Sequence, residues 1–161
     1  MKVLIVSDSH GKNQYLHKAI EQVAPIDLLI HLGDIECEAE YIRSIAPCPL
    51  EIVAGNNDFI NFDIPREKIL KIGRYKVMIT HGHRYDVYYN TSTIREIAME
   101  NKIDIVMFGH THVPMITFQD NIWLINPGSI SLPRQNGREH TFIVMDIDSK
   151  GKANFTLKHI K

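Results

Sequence analysis

Short apolar runs alternate with polar, glycine-containing motifs along the first two thirds of the chain. Six of these runs have few polar interruptions, and they comprise residues 2–6, 28–30, 51–54, 77–80, 104–108 and 122–125. Runs of this kind are typical of strands that are buried on both faces of a sheet. We therefore predict a strand at each run, with its polar motif at the carboxyl end.

Helical periodicity appears between several of the predicted strands, at residues 13–24, 38–46 and 91–101. Asn13 stands where an N-cap would satisfy the first helix. Thr93 and Glu96 have the spacing of a capping box in the third helix. The first two thirds of the chain are thus expected to form β-α-β units.

The last third of the chain has a different pattern. Two pairs of apolar runs are each separated by a turn signal, at residues 115–118 with 122–125 and 140–147 with 153–160. Such pairs are typical of antiparallel hairpins. We predict an α/β fold of mixed character, in which helices flank two packed sheets.

Length and composition describe an ordinary globular protein. The chain has 161 residues, and we expect a single domain over 1–161. Its formal net charge of −1 gives no indication of nucleic-acid or anionic-membrane binding. Cys37 and Cys48 lack CxxC spacing and are expected to be reduced thiols. Without a signal peptide or a membrane-spanning run, we expect a cytoplasmic protein.

Candidate metal ligands follow the predicted strands. Ligands of open α/β sheets bind at the carboxyl ends of strands. We expect eight side chains to meet there, namely Asp8, His10, Asp34, Asn56, His81, His83, His110 and His112. Carboxylates with imidazoles suit Mn, Fe, Zn, Co and Ni, whereas an all-oxygen set would favour Mg or Ca. The composition of the set therefore predicts a site for transition-metal ions.

Three motifs contain candidate residues two positions apart, namely Asp8/His10, His81/His83 and His110/His112. In an extended segment, alternate side chains project to the same side. We therefore expect Asp8 and His10 to face one ion, and His110 and His112 to face the cluster. Each motif alone also fits a turn or a pair of surface residues. A metal site is favoured over these separate readings because all five motifs (DSH, GD, GNND, HGH and GHTH) follow predicted strands.

The other four histidines, His17, His31, His140 and His159, have no partner motif and are not assigned to catalysis. His31 ends a buried strand and could orient a ligand from behind. Arg134 and Arg138 follow the 126–129 loop, where they could bind a distal phosphate or be ordinary exposed arginines.

The order of the motifs resembles that of the calcineurin-like metallophosphoesterase superfamily. That superfamily carries DxH, GD, GNHD or GNHE, a His in a GH-type segment, and GHTH. This chain has Asp8-Ser-His10, Gly33-Asp34, Gly55-Asn-Asn-Asp58, His81-Gly-His83 and Gly109-His-Thr-His112. The Asn126-Pro-Gly-Ser129 motif and the short length resemble the small bacterial and archaeal phosphodiesterase branch.

The resemblance implies a four-layer α/β/β/α sandwich that holds two divalent ions per chain. One ion would be held by Asp8, His10, Asp34 and His112. The other would be held by Asp34, Asn56, His81 and His110, with Asp34 bridging the two ions. His83, and the amide of Asn56, would contact the substrate phosphate. Mn²⁺ is the first expectation, ahead of Ni²⁺, Co²⁺, Zn²⁺ or Fe²⁺.

The reaction that the resemblance implies is hydrolysis of a small phosphate ester, and the branch favours a diester. Two ions would clamp the attacking and leaving oxygens, and a bridging hydroxide would attack phosphorus in line. One residue departs from the usual pattern, because Asn57 stands where a His would protonate the leaving group. An amide cannot supply that proton near neutral pH. Esters with good leaving groups should suffer least from this change.

Two other functions are alternatives to hydrolysis. The same fold serves as a noncatalytic protein-binding scaffold in a retromer subunit, but a scaffold is free to lose ligands and this chain retains every one. A metallo-β-lactamase-like site fails on spacing, because Asp86 comes one residue late in an HxHxDH signature. Apolar faces of the hairpins could in addition support a homodimer.

Overall fold

The computed structural model describes residues 1–59 and 63–161. In chain order, the elements of these residues are β1 (Lys2–Val6), α1 (Gln14–Val23), β2 (Leu28–His31), α2 (Ala39–Ile45), β3 (Leu50–Ile52), β4 (Glu67–Ile72), β5 (Tyr75–Thr80), a 3₁₀ turn (His83–Tyr85), α3 (Ser92–Glu100), β6 (Ile105–Met107), β7 (Pro114–Gln119), β8 (Ile122–Pro127), β9 (Thr141–Ile147) and β10 (Ala153–His159). No helix in these ranges is long and apolar enough to cross a membrane.

The strands form two mixed five-stranded sheets. The first sheet has the order β10-β9-β1-β2-β3, in which β1, β2 and β3 are parallel and β9 and β10 are antiparallel. The second has the order β4-β5-β6-β8-β7, with β5, β6 and β8 parallel and the two edge strands antiparallel. The hairpins β7–β8 and β9–β10 confirm the prediction for the last third of the chain.

The core between the sheets explains the continuous apolar runs. Successive side chains of a strand point to opposite faces. On β1, Val3 and Ile5 pack against the second sheet, while Leu4 and Val6 pack against α1. All four are buried, so the strand has no solvent face. An apolar run without alternation is the consequence.

Helices cover the outer face of each sheet. Leu16 of α1 and Ile42 of α2 pack on the first sheet, and Ile94 and Ala98 of α3 pack on the second. Each helix therefore buries one apolar stripe and leaves the opposite side to solvent. The layers run α/β/β/α, which confirms the four-layer sandwich.

Strand β4 was missed in the sequence. It pairs antiparallel with β5 at the edge of the second sheet. Lysines and glutamate interrupt its apolar residues, and Ile69 is 52% exposed. An edge strand with one solvent-exposed face alternates polar and apolar residues, so it contains no continuous apolar run that would predict it.

One predicted helix cap is wrong, and another has the right position without the capping bond. Asn13 is the N-cap residue of α1, but its side chain makes no capping hydrogen bond, and its Nδ2 donates to Glu38 at 3.1 Å. Thr93 lies inside α3, where it cannot act as the N-cap of a capping box. The first turn of α3 is instead supported by Asn90, whose Oδ1 accepts the N–H of Ser92 at 3.0 Å.

The core between the sheets should carry a large part of the stability. We expect Ile105→Ala to lower the free energy of unfolding by about 2–5 kcal/mol, because it leaves a cavity between two rigid sheets. Ile69→Ala, the same change at an exposed site in the same sheet, should cost less than about 1 kcal/mol. Urea unfolding followed by circular dichroism measures both. Equal losses would contradict this account of the core.

Candidate metal centre

The carboxyl ends of strands from both sheets meet at one edge of the sandwich. Asp8 follows β1 and Asp34 follows β2 in the first sheet, whereas His81 follows β5 in the second. The loop after β6 joins them, since the His110 N–H donates to Asp8 Oδ2 at 3.2 Å. The prediction that motifs at these strand ends come together is therefore correct.

Four of the predicted ligands form a tight group. One atom from each of Asp8, His10, Asp34 and His112 lies within 4.8 Å of the others, which suits a single metal ion. His112 Nε2 lies 3.1 Å from Asp8 Oδ1, and His10 Nε2 lies 3.7 Å from Asp34 Oδ2. The two imidazole Nε2 atoms are 3.4 Å apart. We call this set the first ligand group.

The other predicted ligands lie on the far side of Asp34. His81 Nε2 is 3.5 Å from Asp34 Oδ1 and 3.1 Å from Asn56 Oδ1. The ring of His110 lies 5.2 Å from the ring of His81, measured between centroids. We call these residues the second ligand group. The two carboxylate oxygens of Asp34 thus face different groups, Oδ2 toward His10 and Oδ1 toward His81.

Hydrogen bonds to backbone carbonyl oxygens fix the orientation of two imidazoles. His81 Nδ1 donates to the carbonyl of Leu32 at 2.7 Å, and His112 Nδ1 donates to the carbonyl of Leu132 at 2.6 Å. Carbonyl oxygens only accept, so the proton of each neutral ring is on Nδ1. Each Nε2 therefore presents a lone pair to the centre, which is how a metal-binding histidine is held.

A carboxylate holds the third imidazole in the same way. His10 Nδ1 lies 3.1 Å from Glu36 Oε1, and its Nε2 points toward Asp34. A carboxylate behind a ligand histidine fixes the tautomer and raises the basicity of the ring. No sequence pattern marks Glu36, because its role depends on a contact across 26 residues.

Acceptor atoms consequently face one another across the centre. His112 Nε2 faces Asp8 Oδ1, and His81 Nε2 faces Asn56 Oδ1, in both cases at 3.1 Å. Asp8 Oδ1 is buried and has no hydrogen-bond partner among the described residues. Lone pairs held this close repel unless a cation lies between them. The donor set therefore fits divalent metal ions.

Burial and neighbouring charge set the protonation of the centre. Burial raises the pKa of the Asp8 carboxyl, but nearby His112 and His81 outweigh this effect and hold its pKa below the ordinary value. Burial lowers the pKa of His83 to about 4, with further lowering by His81 and His110. Burial likewise lowers the pKa of His110. These groups are thus ready to bind cations rather than protons at neutral pH.

His83 lies beside the second ligand group. Its ring centroid is 5.5 Å from that of His81 and 6.1 Å from that of His110. Its Nδ1 is buried and has no hydrogen-bond partner among the described residues. The structure therefore places His83 beside the centre, and its Nδ1 is available to hydrogen-bond another group.

The backbone at the ligands is left-handed, which corrects one expectation. Five of them have positive φ, with values of 56° at Asp8, 44° at His10, 54° at Asp34, 69° at His110 and 59° at His112. The DxH and HxH segments are thus not extended, and alternation along a strand does not explain their convergence. Positive φ is costly for side-chain-bearing residues and clusters at functional sites.

Two glycines allow the loops to approach one another. A Cβ at Gly109 would lie 1.9 Å from Ser7 Oγ and 2.8 Å from Asp8 Oδ2. A Cβ at Gly55 would lie 2.1 Å from Asp34 Oδ1. Glycine is required at both positions because the neighbouring loop occupies the space of a side chain.

Asp58, which has no assigned role in the sequence analysis, supports two of the loops. The buried carboxylate accepts four backbone N–H groups, from Asp34 at 2.8 Å, Ile35 at 2.9 Å, Glu36 at 2.6 Å and Gly55 at 2.6 Å. It thereby ties the loop after β2 to the loop after β3. The only signal in the sequence was its place at the end of the GNND motif.

The NPGS motif supports the other two loops. Ser129 and Ser131 donate hydroxyl hydrogen bonds to the carbonyl of Asp8, at 2.8 and 2.9 Å. The Asn126 amide donates to the carbonyl of Gly109 at 2.8 Å. In the sequence this motif contributes only to the family resemblance, whereas in the structure its side chains hold the ligand loops by hydrogen bonds.

The remaining candidates lie behind or away from the centre. His31 donates from Nε2 to the Ser9 hydroxyl at 3.1 Å, and burial lowers its pKa to about 4. It therefore supports the loop between Asp8 and His10 without reaching the centre. His17 contacts Tyr41 on the surface.

Asn57 donates two hydrogen bonds to the predicted metal ligand Asp34. Its backbone N–H donates to Asp34 Oδ1 at 2.9 Å, and its side-chain amide donates to Asp34 Oδ2 at 2.6 Å. These two hydrogen bonds hold the Asp34 carboxylate in its orientation between the two ligand groups. The residue that departs from the usual motif therefore has a positioning role.

The names of curated relatives describe a probable metallophosphoesterase and a phosphodiesterase. Over 150 residues it is 36% identical to "Probable metallophosphoesterase YsnB" of Bacillus subtilis, covering 92% of this chain and 86% of the relative. Over 146 residues it is 32% identical to "Phosphodiesterase MJ0936" of Methanocaldococcus jannaschii, covering 80% and 83%.

Solved structures match the whole fold. A predicted phosphoesterase from Streptococcus pneumoniae TIGR4 has a TM-score of 0.79 and 26% identity, covering 98% of this chain and 97% of that one. Vps29 from Chaetomium thermophilum has a TM-score of 0.76 at 19% identity, covering 100% and 97%, and this likeness concerns the fold alone. The calcineurin-like phosphoesterase superfamily domain matches residues 1–150 of the chain. The chain belongs to the calcineurin-like phosphoesterase superfamily.

Proposed function

We propose that this protein is a phosphodiesterase that uses two divalent metal ions. The observation that carries the proposal is the convergence of acceptor atoms with no hydrogen between them, in which Nε2 of His112 faces Asp8 and Nε2 of His81 faces Asn56. This arrangement is unfavourable without a cation and well suited to one. Superfamily membership supplies the class of reaction, hydrolysis of a phosphoric ester.

Each ligand group would hold one ion. The first group supplies two carboxylates and two imidazoles, from Asp8, His10, Asp34 and His112. The second supplies Asn56, His81 and His110, and it shares Asp34. The opposite directions of the two Asp34 oxygens support a bridging role for this carboxylate. Mixed nitrogen and oxygen ligands favour transition ions, and we propose Mn²⁺ first.

The bound ions would polarise the phosphate and lower the pKa of a water molecule to about 7. The side chains of the protein orient the substrate around them. Neutral His83 has a buried ring nitrogen without a partner in 1–59 or 63–161, and it can hydrogen-bond a phosphate oxygen. The Asn56 amide can donate to the same group. Asn57 is directed at Asp34 and supplies no acid for the leaving group.

A diester is proposed as the substrate over a monoester. The support comes from MJ0936, a relative at 32% identity whose name is phosphodiesterase.

A noncatalytic scaffold is the alternative. Its support is the fold shared with Vps29, at 19% identity. That likeness says nothing about the ligand set. Scaffold function does not account for buried acceptors that face each other at 3.1 Å, and we therefore favour the enzyme.

Metal ions should restore activity to the chelated protein. We expect hydrolysis of bis-p-nitrophenyl phosphate to stop after chelation and to return with Mn²⁺, with weaker recovery in Ni²⁺, Co²⁺, Zn²⁺ or Mg²⁺. Release of p-nitrophenolate measures the activity, and we expect a loss of about 10³-fold or more in Asp34→Ala. Metal-loaded protein that is inert on diesters and monoesters would favour the scaffold.

A histidine at position 57 should act as a general acid. We expect Asn57→His to accelerate poor leaving groups about tenfold more than good ones, because general acid catalysis is worth about 10²–10⁴-fold. Asn57→Ala is the control, since it removes the hydrogen bond from the side-chain amide to Asp34 without adding an acid. Rates on alkyl and p-nitrophenyl diesters give the comparison. Equal changes in both substrate classes would defeat the hypothesis.

Asp58 should position the ligands through the backbone. Asp58→Ala leaves four N–H groups without an acceptor, at about 1–3 kcal/mol for each one that water cannot reach. We expect a lower Tm and metal affinity reduced by about tenfold or more. Asp148→Ala is the matched control, because Asp148 accepts the N–H groups of Lys150 and Lys152 in an exposed turn. Unchanged metal affinity in Asp58→Ala would exclude the positioning role.

A further inference from the structure

An apolar pocket of about 510 Å³ adjoins the proposed metal centre, and we call it the side pocket. Thr111 lies in its wall and stands between the ligand candidates His110 and His112. The ring of Tyr88 is 6.4 Å from the ring of His110. Arg134 also lines it, and the Arg134 N–H donates to the carbonyl of His112 at 3.1 Å. A molecule bound at the metals could therefore extend directly into this pocket.

The walls of the side pocket suit a flat, apolar group. Val87 and Phe108 form a buried base, and Met115 lies beside them. Tyr88 and Tyr89 stand at the rim with 59% and 84% of their surfaces exposed. Exposed aromatic rings grouped at a concave site are typical of ligand binding. The volume falls within the range of about 300–1,000 Å³ seen for small-molecule sites.

The two rim tyrosines have no structural task that explains their exposure. Their rings meet edge to face, with centroids 5.9 Å apart and planes at 75°. Neither hydroxyl hydrogen-bonds to any residue within 1–59 or 63–161. A planar ring could stack on either face that they leave open, because stacking on an aromatic side chain is tolerant of ring type.

Polar groups around the side pocket indicate that its ligand is not purely apolar. The Asn90 side chain lines it, and because its Oδ1 accepts the Ser92 N–H, its NH₂ group remains as a donor. Arg134 is exposed, and its guanidinium makes no ion pair with the described part of the chain. A cation and an amide donor beside two exposed tyrosine rings suit an anionic ligand with a polar aromatic ring.

We infer that the side pocket binds a nucleoside esterified to the phosphate at the metal centre, with the base stacked at Tyr88 and Tyr89. The inference rests on the proposed function, because it assigns the ester group of that substrate. A nucleoside combines a planar heteroaromatic ring with polar edges, and its phosphate provides the anion. The substrate class is thereby narrowed to nucleotide-like phosphodiesters.

Calorimetry on Mn²⁺-loaded protein tests the side pocket without requiring turnover. The ligands are methyl phosphate, phenyl phosphate and adenosine 5′-monophosphate, which share the phosphate and differ in the attached group. We expect the adenosine compound to bind about tenfold more tightly than methyl phosphate, with phenyl phosphate between them. The Tyr88→Ala/Tyr89→Ala variant should lose this preference and retain its affinity for methyl phosphate.

Two further variants separate stacking from general damage. Tyr88→Phe/Tyr89→Phe should keep the preference, because the rings remain. Tyr41→Ala removes an exposed tyrosine of α2 outside the side pocket, and it should leave all three affinities unchanged. Equal affinity of wild type for methyl phosphate and the adenosine compound would overturn the inference, and so would equal affinity for the phenyl and adenosine compounds.

The outcome for the side pocket can be distinguished from the outcome for the proposed function. A protein that prefers the adenosine compound yet hydrolyses no phosphate ester retains the nucleoside site and loses the enzymatic proposal. A protein that hydrolyses bis-p-nitrophenyl phosphate but shows no preference among the three ligands retains the enzymatic proposal and loses the nucleoside site.

Discussion

The unfavourable approach of lone pairs at the carboxyl ends of the strands is the constraint on which this structure depends. His81 and His112 each donate Nδ1–H to a carbonyl oxygen, so their Nε2 atoms are fixed as acceptors. These atoms lie 3.1 Å from the oxygens of Asn56 and Asp8. A folded chain accepts such a contact only where something else compensates, and a divalent cation is the simplest compensation.

The rest of the fold serves to hold those acceptors in place. Two rigid sheets deliver the ligand loops to one edge, and left-handed backbone aims the side chains inward at a conformational cost. That cost is offset by hydrogen bonds that link loops to one another. Asp58 joins the loops after β2 and β3, and Ser129 with Ser131 supports the loop after β1. Ligand geometry and overall stability are therefore coupled.

Much of the fold could be predicted because buried parallel strands leave an unmistakable apolar run, as in Leu28–His31. The ligands could be proposed because their motifs follow such runs. Strand β4 was not predicted because one of its faces is exposed to solvent. Asn13 stands at the predicted N-cap position, but its side chain bonds to Glu38 and makes no cap. Asp58 was not assigned a role because three of its four backbone partners are 22 to 24 residues away, a separation that local patterns do not encode.

Anomalous diffraction at the manganese edge, from crystals grown with Mn²⁺, tests the central claim most directly. The account predicts two peaks on either side of Asp34, one contacted by Nε2 of His10 and His112 and the other by Nε2 of His81 and Oδ1 of Asn56. An empty centre at saturating Mn²⁺, with the imidazoles turned to hydrogen-bond the carboxylates, would contradict it. The convergence of acceptors would then be relieved by protons, and the case for a metal-dependent phosphodiesterase would fall.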